Sequence, residues 1–385
     1  MPVPLPDADT VNLHPPDAAE AQLLAEGLAS AVAGREGLLP VQRSLIEALF
    51  PAMTGHVVIL PDRPEMSPSR LAEVLARRDL AFRSRAVQLM LLCALVRHPL
   101  PDDVAENVAA FARELGVEEA MVDVAREFAA GSLDLAARDF RRNGYEGSWN
   151  REETTAAVHS TRTLGEAWAL DTDDPELAAR WAALEHLPSD SLGRKVWEMY
   201  QARGFSYPGL PGSAPPLLAQ HDWVHVLADY GTTVESEVEV FGFIARANDD
   251  MHAFSLLAMV ISLFETGYLA SGAGLFEASP NHFSSDPRMA VRLSDAMRRG
   301  ALCHDEATGS DSIDFLRFDW FSVAELTCAE ARARFRLAPK SELATEAGSV
   351  GPWEPGGISP FQLASGEQLA AREGRDYDSF GATVA

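Results

Sequence analysis

HDWVHVLADYGTTVESEVEVFGF, residues 221–243, decides how the second half of this chain is read. On a helix at ~100° per residue, His221 and His225 differ by ~40°, so both imidazoles leave one face and can share a cation. Asp222 sits ~100° from His221, where it serves as a further ligand or as the carboxylate that orients an imidazole through its other nitrogen. Asp229 continues the same face one turn beyond His225 and adds charge to the surroundings of the site.

Glu237 joins this group only if the helix ends. A continuous helix rising ~1.5 Å per residue would carry it ~18 Å past His225, too far for one ion. Gly231 is a natural C-terminal cap, and Thr232 with Glu235 three residues on makes a capping box, so a second, antiparallel helix is expected to turn Glu237 back toward the histidines. Glu235 is then spent on the cap. The rival reading is a half-buried strand, because Glu235, Glu237 and Glu239 alternate with Val234, Val238 and Val240. Two histidines with two or three carboxylates suit zinc, iron(II) or manganese and are poor for copper(I); zinc is the first expectation. The bland alternative is a satisfied polar helix end.

The text around this stretch is helical. SPSRLAEVLARRD, SRAVQLMLLCALVRH, PDDVAENVAAFARELG and EEAMVDVAREFAAGS each space apolar residues by three and four. Ser67 with Pro68 and Pro101 with Asp102 and Asp103 mark starts, and Gly116 marks an end. DPELAARWAALEHL, DSLGRKVWEMYQARG, RMAVRLSDAMRRG and VAELTCAEARARF continue the pattern after a polar connector. The expected fold class is all-α, two helical domains plus an irregular C-terminal tail. The boundaries read as an irregular arm over 1–17, a helical bundle over 18–145, a connector over 146–175, a metal-binding helical domain over 176–340 and an irregular tail over 341–385. Trp353 and Phe361 would dock that tail.

Composition narrows the partners. The 385 residues carry a formal net charge of −25, which disfavours nucleic acid and bare anionic membrane because no basic stripe offsets it. Of 32 basic residues only Lys195 and Lys340 are lysines, a bias that does not bear on the fold. Three scattered cysteines, Cys93, Cys303 and Cys328, offer neither a disulfide framework nor a CxxC site, so a reducing cytoplasm is the simplest location. The proline-rich acidic start lacks the basic residues and apolar run of a secretory signal. The most apolar stretch, 254–269, is interrupted by Glu265 and falls short of the ~20 residues that span a bilayer. Peripheral membrane association and homo-oligomerisation stay open.

His221-Asp222-Trp223-Val224-His225, eleven residues, then Glu237 resembles the HDxxH-x11-E signature of the ubiquinone biosynthesis protein family numbered four. Leu187, Pro188, Leu192 and Gly193 match its approach to the motif; Arg298, Arg299 and Gly300 look like its basic helix end, and Asp319-Trp320 like its closing segment. Asp229 and Ser236 depart from it, standing where the family usually has glycine. More weakly, residues 18–145 resemble the helical domain of the tellurite-resistance protein TerB, with Asp102, Asp103 and Glu106 nearest its acidic cluster.

The first resemblance implies a metal that handles an aromatic head group and an apolar tunnel for a prenyl tail. It further implies replacement of the ring carboxylate by hydroxyl, an oxidative decarboxylation. Phe254, Leu257 and Phe264 are candidates to line the tail pocket or to be plain core. Arg298 and Arg299 are candidates to bind an anionic head group, and Asp222 to act in catalysis. His252 and His282 are the remaining histidines that could approach the site. The expected partner is an apolar or prenylated small molecule. Two other classes compete: a metal-dependent hydrolase built on HDxxH, and a non-enzymatic lipid-binding scaffold whose metal is structural.

Overall fold

Most of the described helices begin where the sequence supplies an acceptor for their free amides. In the computed structural model, which describes residues 16–97, 100–117, 174–210, 213, 218–248, 257, 260, 261, 265 and 281–385, the side chains of Asp17, Ser67, Asp79, Asp174, Ser191, Thr327, Ser341 and Ser359 each accept from an amide in the first turn that follows. The N-terminal helices are α1 (Ala18–Val32), α2 (Pro40–Thr54), α3 (Pro68–Val74), α4 (Leu80–Leu95) and α5 (Asp102–Glu114). From residue 174 onward come α6 (Pro175–Ala182), α7 (Leu192–Arg203), α8 (His221–Ala228), α9 (Val234–Ala247), α10 (Arg288–Ala301), α11 (Cys328–Arg334), α12 (Glu342–Glu346) and α13 (Pro360–Glu373). The fold is all-α, with only isolated bridges and no strand among the described residues.

α1 is the hub of the N-terminal bundle and touches α2, α3, α4 and α5. Buried amides fasten it. Gln42 donates to Val32 O at 3.1 Å and Cys93 O at 3.0 Å, tying the end of α1 to α2 and α4. Asn107 on α5 donates to Ser30 O and Ala31 O at 2.8 and 2.9 Å. Each amide offers two donors, and each is matched by two carbonyls, so burial costs these groups little. Cys93 is buried in the apolar core, and all three cysteines are free thiols. The acidic residues Asp102 and Glu106 are exposed on α5, while Asp103 accepts from the Arg35 amide.

Among the described helices the most extensive seam joins α9 and α10, and two glycines permit it. A Cβ on Gly300 would sit 2.2 Å from Phe243 O, and one on Gly242 would sit 2.4 Å from a Leu293 methyl. α10 also packs on α2. One apolar cluster therefore runs from the N-terminal bundle through α10 to α9.

The tail differs from the irregular segment expected for 341–385. α12 and α13 form there, and α13 lies on α7, with Gly366 so close to Ala202 O that a Cβ would approach it to 2.2 Å. The glycines and prolines of 351–357 dominate the reading by composition. The capping box of Ser359 with Gln362, Pro360 in the first turn and left-handed Gly374 at the end are nevertheless local helix signals. Trp353 does dock on the core, whereas Phe361 stays largely exposed.

Gly300→Val is expected to lower unfolding free energy by about 3 kcal/mol, the upper end for overpacking, because the obstacle is backbone rather than a flexible side chain. Urea unfolding followed by circular dichroism measures it; an unchanged midpoint would contradict the close approach of α9 and α10.

Candidate metal centre

α8 is eight residues long and stops at Asp229, which takes the left-handed conformation (φ 64°). That role was expected of Gly231, two residues later. Tyr230 N then bonds back to His225 O, and α9 starts after an extended Thr233. The chain reverses as the histidine and glutamate spacing required, and the strand alternative for 234–240 is not realised. The expected capping box of Thr232 with Glu235 does not form. Thr232 Oγ1 instead accepts from Arg203 Nε at 2.5 Å and donates to Gln362 Oε1 at 2.8 Å, while the Glu235 carboxylate meets His282 Nδ1 at 3.0 Å.

Across this reversal Glu237 reaches both imidazoles. Its Oε2 lies 3.3 Å from His221 Nε2 and its Oε1 3.2 Å from His225 Nε2. One ligand atom from each residue falls within 4.8 Å of the others, and this is the one such group of three among the described residues. All three are buried, His225 completely. Asp222 stands beside them: its Oδ1 is 3.3 Å from His221 Nε2, and its Oδ2 accepts from the buried Tyr200 hydroxyl. Phe241 stacks on His221 with ring centroids 5.1 Å apart, and Trp223 stacks on Trp320 behind them.

The two carboxylates answer burial differently. Desolvation pushes the Asp222 carboxyl up, and the imidazoles and Tyr200 do not recover it. Desolvation acts on Glu237 too, but the charges and hydrogen bonds of His225 and His221 together outweigh it and hold Glu237 down at about 2. Contact explains the contrast: Glu237 meets both imidazole nitrogens, Asp222 only one.

The tautomer of His225 is fixed by its surroundings. Nδ1 lies 2.6 Å from the carbonyl oxygen of Gly231, which can only accept, so Nδ1 carries the proton. When the ring is neutral, Nε2 presents a bare lone pair to the Glu237 carboxylate 3.2 Å away; when it is protonated, a charged N–H faces that carboxylate instead. A lone pair facing an anion out of water requires a cation between or upon them. Two imidazoles and one carboxylate, with the far nitrogen of one ring held by a carbonyl, form the donor set of zinc sites that keep a position open and of iron(II) facial triads. The residues fit a divalent metal.

Other residues predicted for the site lie elsewhere. Asp229 points its carboxylate to Arg332 and Lys340, each 3.8 Å away. Arg298 pairs with Asp295 at 2.9 Å and donates to Pro339 O. Arg299 donates to Ala338 O at 2.8 Å and lies over the Tyr230 ring, 4.9 Å from its centroid. Both arginines fasten the segment that leads to α12. Leu257 is fully buried in the core. Phe254, Phe264 and His252 fall outside the described residues. Tyr200 was missed, because its partner is 22 residues away and nothing local marks it.

No protein-family model matches the chain, and no curated protein or solved structure is similar to it at a significant level. Among the described residues no helix is long and apolar enough to cross a membrane.

Glu237 has a lower pKa folded than unfolded, so the stability it contributes is complete above the unfolded value near 4.5 and drains away as pH falls toward about 2. In metal-stripped protein, wild type is expected to exceed Glu237→Gln in unfolding free energy at pH 5 and to converge with it by pH 2. Parallel stability curves over that range would show that the carboxylate is not held as an anion.

Proposed function

We propose that this protein is a metal-dependent enzyme that modifies the head group of an apolar aromatic acid. One observation carries the metal: His221, His225 and Glu237 come together from two successive helices, with one ligand atom of each within 4.8 Å of the others, close enough for a single cation to be shared. The substrate class rests on the HDxxH-x11-E resemblance, and an apolar or prenylated acid suits a site roofed by Phe241 and backed by Trp223.

A divalent metal, zinc first and iron(II) or manganese next, supplies a Lewis acid that holds a carboxylate or phenolate and stabilises charge developing on it. In the decarboxylative form of this chemistry the ring carboxylate leaves as carbon dioxide, and an oxygen-donating oxidant supplies the hydroxyl that replaces it. The chain's own part is to fix the ligands and exclude water. Gly231 O orients His225. Phe241 covers His221, and Tyr200 holds Asp222 beside it. Engagement of Asp222 by Tyr200 disfavours the peptidase-like alternative, in which a free carboxylate would serve as general base.

Near-complete burial of the three ligands favours one competitor, a structural metal in a lipid-carrying scaffold. Elemental analysis and mass spectrometry of co-purified lipid test both. The enzyme reading expects one equivalent of metal and an aromatic prenyl compound in wild type, loss of the metal in Glu237→Ala, and a melting temperature that changes by only a few degrees. Unfolding of Glu237→Ala would favour the scaffold. Absence of metal after incubation with zinc, iron(II) and manganese would overturn the proposal.

A further inference from the structure

Residues 350–362 lie 110 or more positions beyond the last ligand, yet they close around the loop that orients His225. Gly231 N donates to Val350 O at 2.8 Å, and Thr232 N donates to Gly357 O at 2.9 Å. Gln362 Nε2 donates to Thr232 O at 2.7 Å, while its Oε1 receives the Thr232 hydroxyl at 2.8 Å. Arg203, buried at the end of α7, completes the enclosure. Its Nε donates to Thr232 Oγ1 at 2.5 Å, and its Nη2 reaches Pro352 O at 2.7 Å and Gly357 O at 3.0 Å. Space is as tight as the bonding: a Cβ on Gly231 would lie 2.8 Å from Gly357 Cα.

The carbonyl of Gly231 and the amide of Thr232 belong to one peptide unit. That unit is planar, so fixing the direction of its N–H fixes the direction of its C=O. The Gly357 carbonyl holds the N–H, and on the opposite edge the C=O receives His225 Nδ1 at 2.6 Å. A continuous line of hydrogen bonds thus runs from Arg203 through Gly357 and one peptide plane to the imidazole, and Gln362 grips the next carbonyl along. An imidazole whose far nitrogen is held this way has its ligating nitrogen aimed before any metal arrives, and loss of such holding contacts typically weakens metal binding 10–100-fold.

We infer that Arg203 and Gln362 are positioning residues for the metal centre, acting through the segment 350–357 and the Gly231–Thr232 peptide to set the tautomer and direction of His225. This rests on the reading of His221, His225 and Glu237 as metal ligands.

Cobalt(II) titration of the full chain tests it, with affinity and the visible ligand-field spectrum as readouts. Arg203→Met and Gln362→Met each remove the hydrogen bonds while keeping side-chain bulk. Either one, if folded by circular dichroism, is expected to bind cobalt about tenfold or more weakly than wild type and with a changed spectrum. Ala370→Gly, buried on α13 but outside these contacts, serves as a control for general loosening of the helix and is expected to leave both readouts unchanged. Wild-type affinity and spectrum in both methionine variants would overturn the inference while sparing the metal reading, as would equal weakening by Ala370→Gly. A wild-type protein that takes up no cobalt would overturn the metal reading itself.

Discussion

A carboxylate taken out of water must be met by positive charge, and that requirement organises the second half of this molecule. Glu237 is met by two imidazole nitrogens on the neighbouring helix, at 3.2 and 3.3 Å. The arrangement is affordable because the chain reverses within five residues, Asp229 to Thr233, and because each element of the reversal has its polar groups placed. The left-handed residue bonds back into α8 and the extended one opens α9. A longer or looser loop would leave the carboxylate buried without partners, at a cost of several kcal/mol. The site and the loop are therefore one structural unit.

Helices from both halves of the chain pack around that unit. α10 lies against α9 through the glycine contacts at 242 and 300, and its other side rests on α2 of the N-terminal bundle. The bundle forms a wall behind the helix that carries Glu237. α13 and the segment before it cover the loop from the other side.

Much of this was legible in the residues. The 3.6-residue periodicity, together with Ser67-Pro68 and Gly116, marked helices that form, and the spacing of His221, His225 and Glu237 demanded a reversal before any coordinates. The devices that accomplish it were read wrongly. Gly231 looks like the cap because glycine pays nothing for a positive φ, yet its conformation is ordinary and its lack of a side chain admits Gly357. Asp229, noted as standing where the family that the motif resembles usually has glycine, occupies a left-handed position that favours one, and its short polar side chain tolerates it. Thr232 and Glu235 have the spacing of a capping box, but stronger partners distant in sequence, Arg203 and His282, claim them. Local grammar cannot foresee a partner that tertiary structure delivers. The same limit hid Tyr200, and it assigned Arg298 and Arg299 to chemistry when they fasten a backbone segment.

The hydrogen bonds between Thr232 and Gln362 span 130 residues of chain. At ~5–20 residues per second of synthesis, the two histidines and their glutamate exist for roughly 6–26 s before the segment that encloses them leaves the ribosome. In that interval these side chains lack the contacts that Gln362 and the segment before it later supply, so the enclosure of the His225 loop is completed only when the last part of the chain has been made.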